Sequence, residues 1–159
     1  MIKAAIKKNG INCDLNFIDV SQITEMNDLF WKSKFNGDIS KWNVSNEKNM
    51  RDMFFASEFN GNISQWNVSN VISMQRMFYG NNSFNQNIGK WNVSNVQDMS
   101  SMFWGAVFNQ NIGEWDVSNV RDMGCMFRES WFNQDISKWN VSNVHRMYLM
   151  FEHARIFEK

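Results

Sequence analysis

The chain has 159 residues, and its 16 Lys and Arg residues balance its 16 Asp and Glu residues to a formal net charge of zero. This balance argues against a nucleic-acid-binding protein, whose affinity depends on a basic surface, and against a polybasic membrane anchor. No apolar stretch approaches the roughly 20 residues of a membrane-spanning helix, and two cysteines at unrelated positions give neither a disulfide framework nor a zinc site.

The first segment, residues 1–17, does not fit the repeat that fills the rest of the chain. Ile2, Ala5 and Ile6 predict a short amphipathic helix that ends near Asn9 and Gly10. We expect this segment to cap the first repeat, because a stacked repeat leaves an exposed face at its end. The segment is too charged for a signal peptide, so we expect a cytoplasmic protein as written, and a surface or secreted one if the chain is part of a longer protein.

A repeat of 24–25 residues occupies residues 18–159. It is marked by Trp-Asn-Val-Ser-Asn and its close variants, with tryptophans at 42, 66, 91, 115 and 139. Five coils start near residues 39, 63, 88, 112 and 136, and an earlier coil without its tryptophan starts near 18. A fixed period of this size predicts a solenoid in which each coil packs on its neighbours.

Two apolar patterns follow one another within each coil. Ile63, Trp66 and Val68 resemble the strand of a leucine-rich repeat, and an apolar stripe at helical spacing follows at Val71, Met74, Met77 and Phe78. The sequence therefore predicts an α/β repeat solenoid of about six coils, each with a short parallel strand and a short helix. The predicted structural core includes Trp42, Trp66, Trp91, Trp115 and Trp139.

No constellation in the sequence indicates catalysis or metal binding. A nucleophile, a base and an orienting group must converge on one pocket, and no such cluster is visible. His145 and His153 are the only histidines, and no third ligand type accompanies them at a suitable spacing. We therefore expect no enzyme, no catalytic residue, no metal and no cofactor.

One position varies in an informative way, thirteen residues after the tryptophan position. From coil to coil it holds Trp31, Phe55, Tyr79, Trp104, Arg128 and Glu152. If exposed, the four aromatic side chains form a row of the residue types enriched at binding hot spots. The alternative is that these rings fold over the neighbouring coil as packing. Trp131, in a loop position, is a further candidate for exposure, so the candidate partner-binding residues are Trp31, Phe55, Tyr79, Trp104, Trp131 and Arg128.

The motifs resemble one known family. The run I-D-V-S-x-I-T-E-M-x-x-L-F at residues 18–30 and the repeated F-N-x-x-I-S-K-W-N-V-S-N-V-x-x-M-x-x-M-F units look like the BspA-like leucine-rich-repeat surface proteins, in particular the Met/Phe/Trp variant known as DUF285. The resemblance covers residues 11–159. It implies a right-handed solenoid, binding to proteins of a host or a neighbouring cell, and no shared catalytic residues.

These observations predict a non-catalytic module for protein–protein interaction, of the adhesion type found at bacterial surfaces. The alternative is an intracellular inhibitor or immunity-type module that docks on a partner enzyme. In either case the expected partner is another protein, with no nucleic acid and no membrane span, and we expect the chain to be a monomer.

Overall fold

The computed structural model describes residues 1–155 and begins with a single helix. This helix, α1, spans Ile2–Asn9 and ends where Gly10 adopts a φ of 92° and donates its N–H to the Ile6 carbonyl. Ile2 is buried, and Ala5 packs against the core. α1 is the helix that the sequence predicted at this end. Within the described residues, no helix has the length and apolar surface needed to cross a membrane.

The predicted α/β repeat solenoid is wrong. Across residues 1–155 the chain forms no continuous strand and no sheet, and neighbouring repeats share only isolated parallel bridges. Most of these bridges also lie beyond the predicted strand: the third repeat has its bridge at Ser73, after Ile63–Val68. The main series of bridges joins Glu25, Asn49, Ser73, Asp98, Asp122 and Arg146.

Local hydrogen bonds explain why the predicted strands do not form. The Trp66 N–H donates to the Ile63 carbonyl at 3.1 Å, and the Ser69 N–H donates to the Asn67 side-chain oxygen at 3.1 Å. The equivalent bonds recur in the other tryptophan-containing repeats. Because Asn and Asp side chains compete with a strand ladder for backbone N–H groups, the segment folds as turns instead.

The predicted helix after each tryptophan is also wrong, because this segment is a run of consecutive turns. In the third repeat the Met77 N–H donates to the Met74 carbonyl, whereas the Met74 and Phe78 N–H groups donate to the next repeat, at Asp98 and Met102. Since alternate amides bind the neighbouring repeat, the i→i−4 bonds of a helix cannot form. Apolar residues at i, i+3 and i+4, such as Met74, Met77 and Phe78, would face inward in a helix, and they also face inward in this run of turns.

The interior consists of side chains that stack from one repeat to the next. The Phe78 ring lies 5.4 Å from Phe54 and 5.7 Å from Phe103, and within its own repeat it lies 4.0 Å from Phe84. Such ring pairs add about 0.5–1.5 kcal/mol each beyond the burial of their area. The methionines of each central repeat fill the remaining space and are fully buried.

The five tryptophans of the repeat are buried in this interior. Each indole N–H donates to a backbone carbonyl 27 or 28 residues earlier, as Trp91 does to Ile63 at 3.1 Å. A buried indole requires such an acceptor. Each tryptophan therefore fills its own repeat and links it to the one before.

Asparagine side chains form two further ladders on the outside of the stack. The Asn95 side chain donates to the Ser69 carbonyl at 2.8 Å, and the Asn60 side-chain oxygen accepts the Asn85 N–H at 3.0 Å. Both contacts recur between successive repeats.

The predicted sixth coil extends to residue 159, and residues 156–159 lie outside the part of the chain that the structure describes.

Candidate protein-binding surface

The aromatic row, Trp31, Phe55, Tyr79 and Trp104, lies on the turn segment of four successive repeats. Each member directly follows a phenylalanine that is fully buried in the core. Because the preceding side chain points inward, the row residue points toward the surface. Trp31 is 48% exposed, and the other three are half-buried.

The four rings contact one another in sequence along the edge of the molecule: the first two pairs are stacked, and Tyr79 and Trp104 are tilted by 45°. Ring centroids are 6.1 Å apart for Trp31 and Phe55, 4.6 Å for Phe55 and Tyr79, and 5.1 Å for Tyr79 and Trp104. The rings therefore share features of both alternatives, an exposed aromatic row and packing over the neighbouring repeat. The rings pack on neighbouring repeats through their faces and keep an exposed edge.

Cationic side chains cover the two terminal rings of the row. The Lys32 ammonium lies 4.4 Å from the Trp31 ring centre, and the Arg128 guanidinium lies 4.6 Å from that of Trp104. Arg128 also pairs with Glu152 at 2.7 Å. Cation–π contacts of this kind stabilise by about 0.5–1 kcal/mol at exposed sites. The row is thus bounded at both ends by a cationic side chain.

Two glycines form a shallow lane beside the row, immediately after Tyr79 and Trp104. Gly80 and Gly105 have φ values of 61° and 64°. Lys32 and Glu129 occupy the same repeat position with φ values of 50° and 57°, so the backbone does not require glycine there. A Cβ added at Gly80 or Gly105 would meet nothing closer than 3.9 Å. The missing side chains therefore lower the surface next to the two rings.

Trp131 borders a cavity at one end of this lane. The cavity has a volume of about 450 Å³, and its lining includes Gly105, Val107 and Trp131. Arg155 lies 4.9 Å from the centre of the Trp131 ring. Glu129 lines the same cavity and gives it a polar side. The structure therefore places Trp131 near the aromatic row, along a depression that begins beside Trp104.

The glycine lane was missed at the sequence level, although the alignment of repeats contains the signal. Read from coil to coil, this position holds Lys32, Ala56, Gly80, Gly105, Glu129 and His153. Ala56, Gly80 and Gly105 directly follow aromatic residues of the row, whereas charged or polar residues hold this position in the first repeat and in the last two. Positions that stay fixed from repeat to repeat serve stacking, so a position that varies in this way indicates a surface feature.

Metal and thiol chemistry have no visible site in the described residues. Within residues 1–155, no three His, Cys, Asp or Glu side chains lie close enough together to hold a metal ion. The polar side chains Asp38, Asn62, Asn87, Asn111 and Asp135 each accept a backbone N–H two residues later. Cys13 is half-buried, Cys125 is buried, and both are free thiols.

These features define a class: a repeat protein with turn-built units and an aromatic edge. The family described as "Mycoplasma protein of unknown function, DUF285" matches residues 1–107 and 84–159. The chain therefore belongs to the DUF285 family. No curated protein and no solved structure matches it.

Proposed function

We propose that the chain is a non-catalytic protein–protein interaction module that binds its partner through the aromatic row and the glycine lane. The observation that carries this proposal is the row itself, four partly exposed rings in contact with one another beside a depressed surface. Tyr, Trp and Phe are enriched at interface hot spots, where they fill or border pockets. A partner side chain entering the lane at Gly80 and Gly105 would contact Tyr79 and Trp104 from the side.

Rigidity of the row supports this proposal. Phe55 and Tyr79 stack with an interplanar angle of 7°, so their rotamers are held before any partner arrives. Binding then loses little side-chain entropy, which otherwise amounts to about 0.5–1.5 kcal/mol for each side chain that is immobilised.

The biological setting that we propose is adhesion-type recognition at a bacterial surface. It is supported by the sequence resemblance to BspA-like surface proteins. The partner is expected to present apolar side chains that fit the lane. It is also expected to present a carboxylate near Lys32, which is exposed and lies over the Trp31 ring.

The test is a double substitution in the row, Trp31→Ala with Trp104→Ala. A partner is first isolated by capture from the native organism, and its affinity is then measured by calorimetry for each variant. We expect affinity to fall about tenfold or more, as for loss of hot-spot residues, with a nearly unchanged melting temperature. Ile72→Ala is the matched control, because Ile72 is also apolar and 43% exposed but lies outside the row. A large drop in melting temperature, or an unchanged affinity, would contradict the proposal.

A further inference from the structure

The junction between the first and second repeats, called the first junction below, contains a carboxyl group at a position that is otherwise apolar. Glu47 is fully buried where the third, fourth and fifth repeats place a buried valine. Its Oε1 accepts the backbone N–H groups of Lys48 at 3.1 Å and of Asn49 at 2.9 Å, whereas no described group binds its Oε2. A buried oxygen without a partner destabilises the structure that keeps water from it.

Glu47 also takes the place of one hydrogen bond between the two repeats. At the next junction, the N–H groups of residues 72 and 73 both donate to the Lys48 carbonyl, at 2.8 and 3.3 Å, and the same pair of bonds recurs at the three junctions that follow. At the first junction the Lys48 N–H reaches the Thr24 carbonyl, but the Asn49 N–H donates to the Glu47 carboxylate within its own repeat. At this position the first junction therefore has one inter-repeat backbone bond instead of two.

The charges and dipoles around Glu47 come from its own repeat and from the first repeat. Burial is the main cause that raises the pKa of Glu47, the amides of Asn49, Met26 and Lys48 lower it in part, and the Glu25 carboxylate of the first repeat raises it further. The Lys48 side chain is exposed, and the third repeat presents valine at this position. Glu47 thus favours the closed junction most when it is protonated, and this contribution is lost as pH rises.

We propose that the first junction opens in a pH-dependent manner: it is closed when Glu47 is protonated, and ionisation of Glu47 shifts it toward an open state in which residues 1–32 separate from the later repeats. Opening brings water to the carboxylate oxygen that has no partner in the closed junction. One end of the stack can open while the rest stays folded, because each repeat contacts only its neighbours. The proposal stands independently of the proposed function.

The aromatic row crosses the first junction. The rings of Trp31 and Phe55 lie 6.1 Å apart, and the Lys32 N–H donates to the Phe55 carbonyl at 2.7 Å. Opening of the junction therefore removes Trp31 from the row. Where the row binds a partner as proposed above, affinity should decrease as pH rises, and this consequence alone rests on the proposed function.

Backbone amides that donate across the first junction report its opening directly. They donate to carbonyls of the second repeat at 2.7–3.2 Å and belong to Met26, Asp28, Phe30 and Lys32. The matched reference amides, which donate from the third repeat to the fourth, belong to Met74, Arg76, Phe78 and Gly80.

Hydrogen exchange of the full chain at pH 5 and pH 8 measures a protection factor for both sets of amides, which corrects for the pH dependence of intrinsic exchange. We expect protection at the first junction to fall by about fivefold or more as pH rises, the lower end for a buried polar group left without a partner. Protection of the reference amides should change by less than about twofold.

Three variants sharpen this measurement. Glu47→Val and Glu47→Gln should both abolish the pH response at the first junction, since neither side chain ionises. Glu47→Val should also raise protection at pH 8, because valine suits the apolar position. Glu25→Gln is the matched control, because it removes the neighbouring carboxylate and should leave most of the pH response in place.

Three outcomes would overturn this proposal. An equal fall in protection at both sets of amides would show that Glu47 acts on the whole fold rather than on one junction. A pH response that persists in Glu47→Val, or one that Glu25→Gln abolishes, would assign the titration to another group. Since hydrogen exchange needs no partner, failure of the aromatic row would appear separately, through the Trp31→Ala with Trp104→Ala variant and its binding test.

Discussion

At the N-terminal end of the stack, Met26 and Phe30 are 2% and 1% exposed, whereas at the C-terminal end the equivalent Met147 and Phe151 are 42% and 48% exposed. The four residues occupy the same two positions of one repeat motif. The difference comes from what lies against them, because residues 1–17 precede the first repeat and no described segment follows the last. Burial in this protein is thus a property of the neighbouring repeat as much as of the side chain.

The largest expected effect compares an interior phenylalanine with its counterpart at the open end. Phe103→Ala should lower the free energy of unfolding by about 3–5 kcal/mol, because the side chain is fully buried and its removal leaves a cavity. Phe151→Ala should lower it by less than about 1 kcal/mol. Urea unfolding of both variants measures the difference, and equal losses would show that the two ends are equally covered.

The second prediction concerns the cover at the N-terminal end. Ile2 is the α1 residue that is buried against the core. Ile2→Ala should lower the free energy of unfolding by about 2 kcal/mol. This value is at the lower end of the range for replacing a buried isoleucine by alanine, because Ile2 lies at the edge of the stack. Met147→Ala, at the uncovered end, should change stability by no more than about 0.5 kcal/mol. If thermal denaturation finds both changes neutral, α1 does not protect the first repeat.

The third prediction concerns a carboxyl group that occupies an interior apolar position. Glu47 aligns with Val71, Val96 and Val120 and is fully buried. Its Oε1 accepts N–H groups from Lys48 and Asn49, but no described group binds its Oε2. Burial is the main cause that raises the pKa of Glu47 above its ordinary value of 4.5.

The sign of the pH effect follows from this raised pKa. The folded state binds the Glu47 proton more tightly than the unfolded chain does, so this group stabilises the fold most at acidic pH. Its contribution is lost as pH rises from about 4.5 through the folded-state pKa. Glu47→Val should therefore raise stability at pH 7 by about 1–3 kcal/mol, by removing an unpaired buried oxygen, and flatten the pH dependence.

The matched control for this change is Glu58→Val, which removes the same formal charge from an exposed position. It should leave both the stability and its pH dependence nearly unchanged. Chemical denaturation between pH 4 and pH 8 compares the two variants. A similar gain in stability for both would assign the effect to net charge rather than to burial.

The period of the repeat and the position of α1 could be predicted from particular residues. The recurrence of Trp66 and Phe78 at one period located the repeat boundaries, and Ile2, Ala5 and Ile6 located α1. The helix and strand of each coil were predicted wrongly for a physical reason. Met74, Met77 and Phe78 have a spacing that suits a helix and a run of turns equally, and the pattern of apolar residues does not report where backbone amides find their acceptors.

The candidate surface was predictable only in part. The variable position thirteen residues after the tryptophan position indicated a row at Trp31, Phe55, Tyr79 and Trp104. The stacking of those rings and the cover of Trp104 by Arg128 depend on distances between repeats, which the sequence does not contain. The depression at Gly80 and Gly105 likewise becomes visible only when the neighbouring repeats are in place.

By itself, the sequence determined the period, the residue types that recur at buried positions, and α1. Tertiary structure decided that each segment is built from turns, since alternate amides donate to the next repeat, and others donate to carbonyls three residues earlier or to Asn, Asp and Ser side chains. It also decided which apolar residues are exposed. The reason is the same in both cases: a repeat of this size cannot satisfy its backbone or bury its apolar face alone, so its conformation depends on its neighbours.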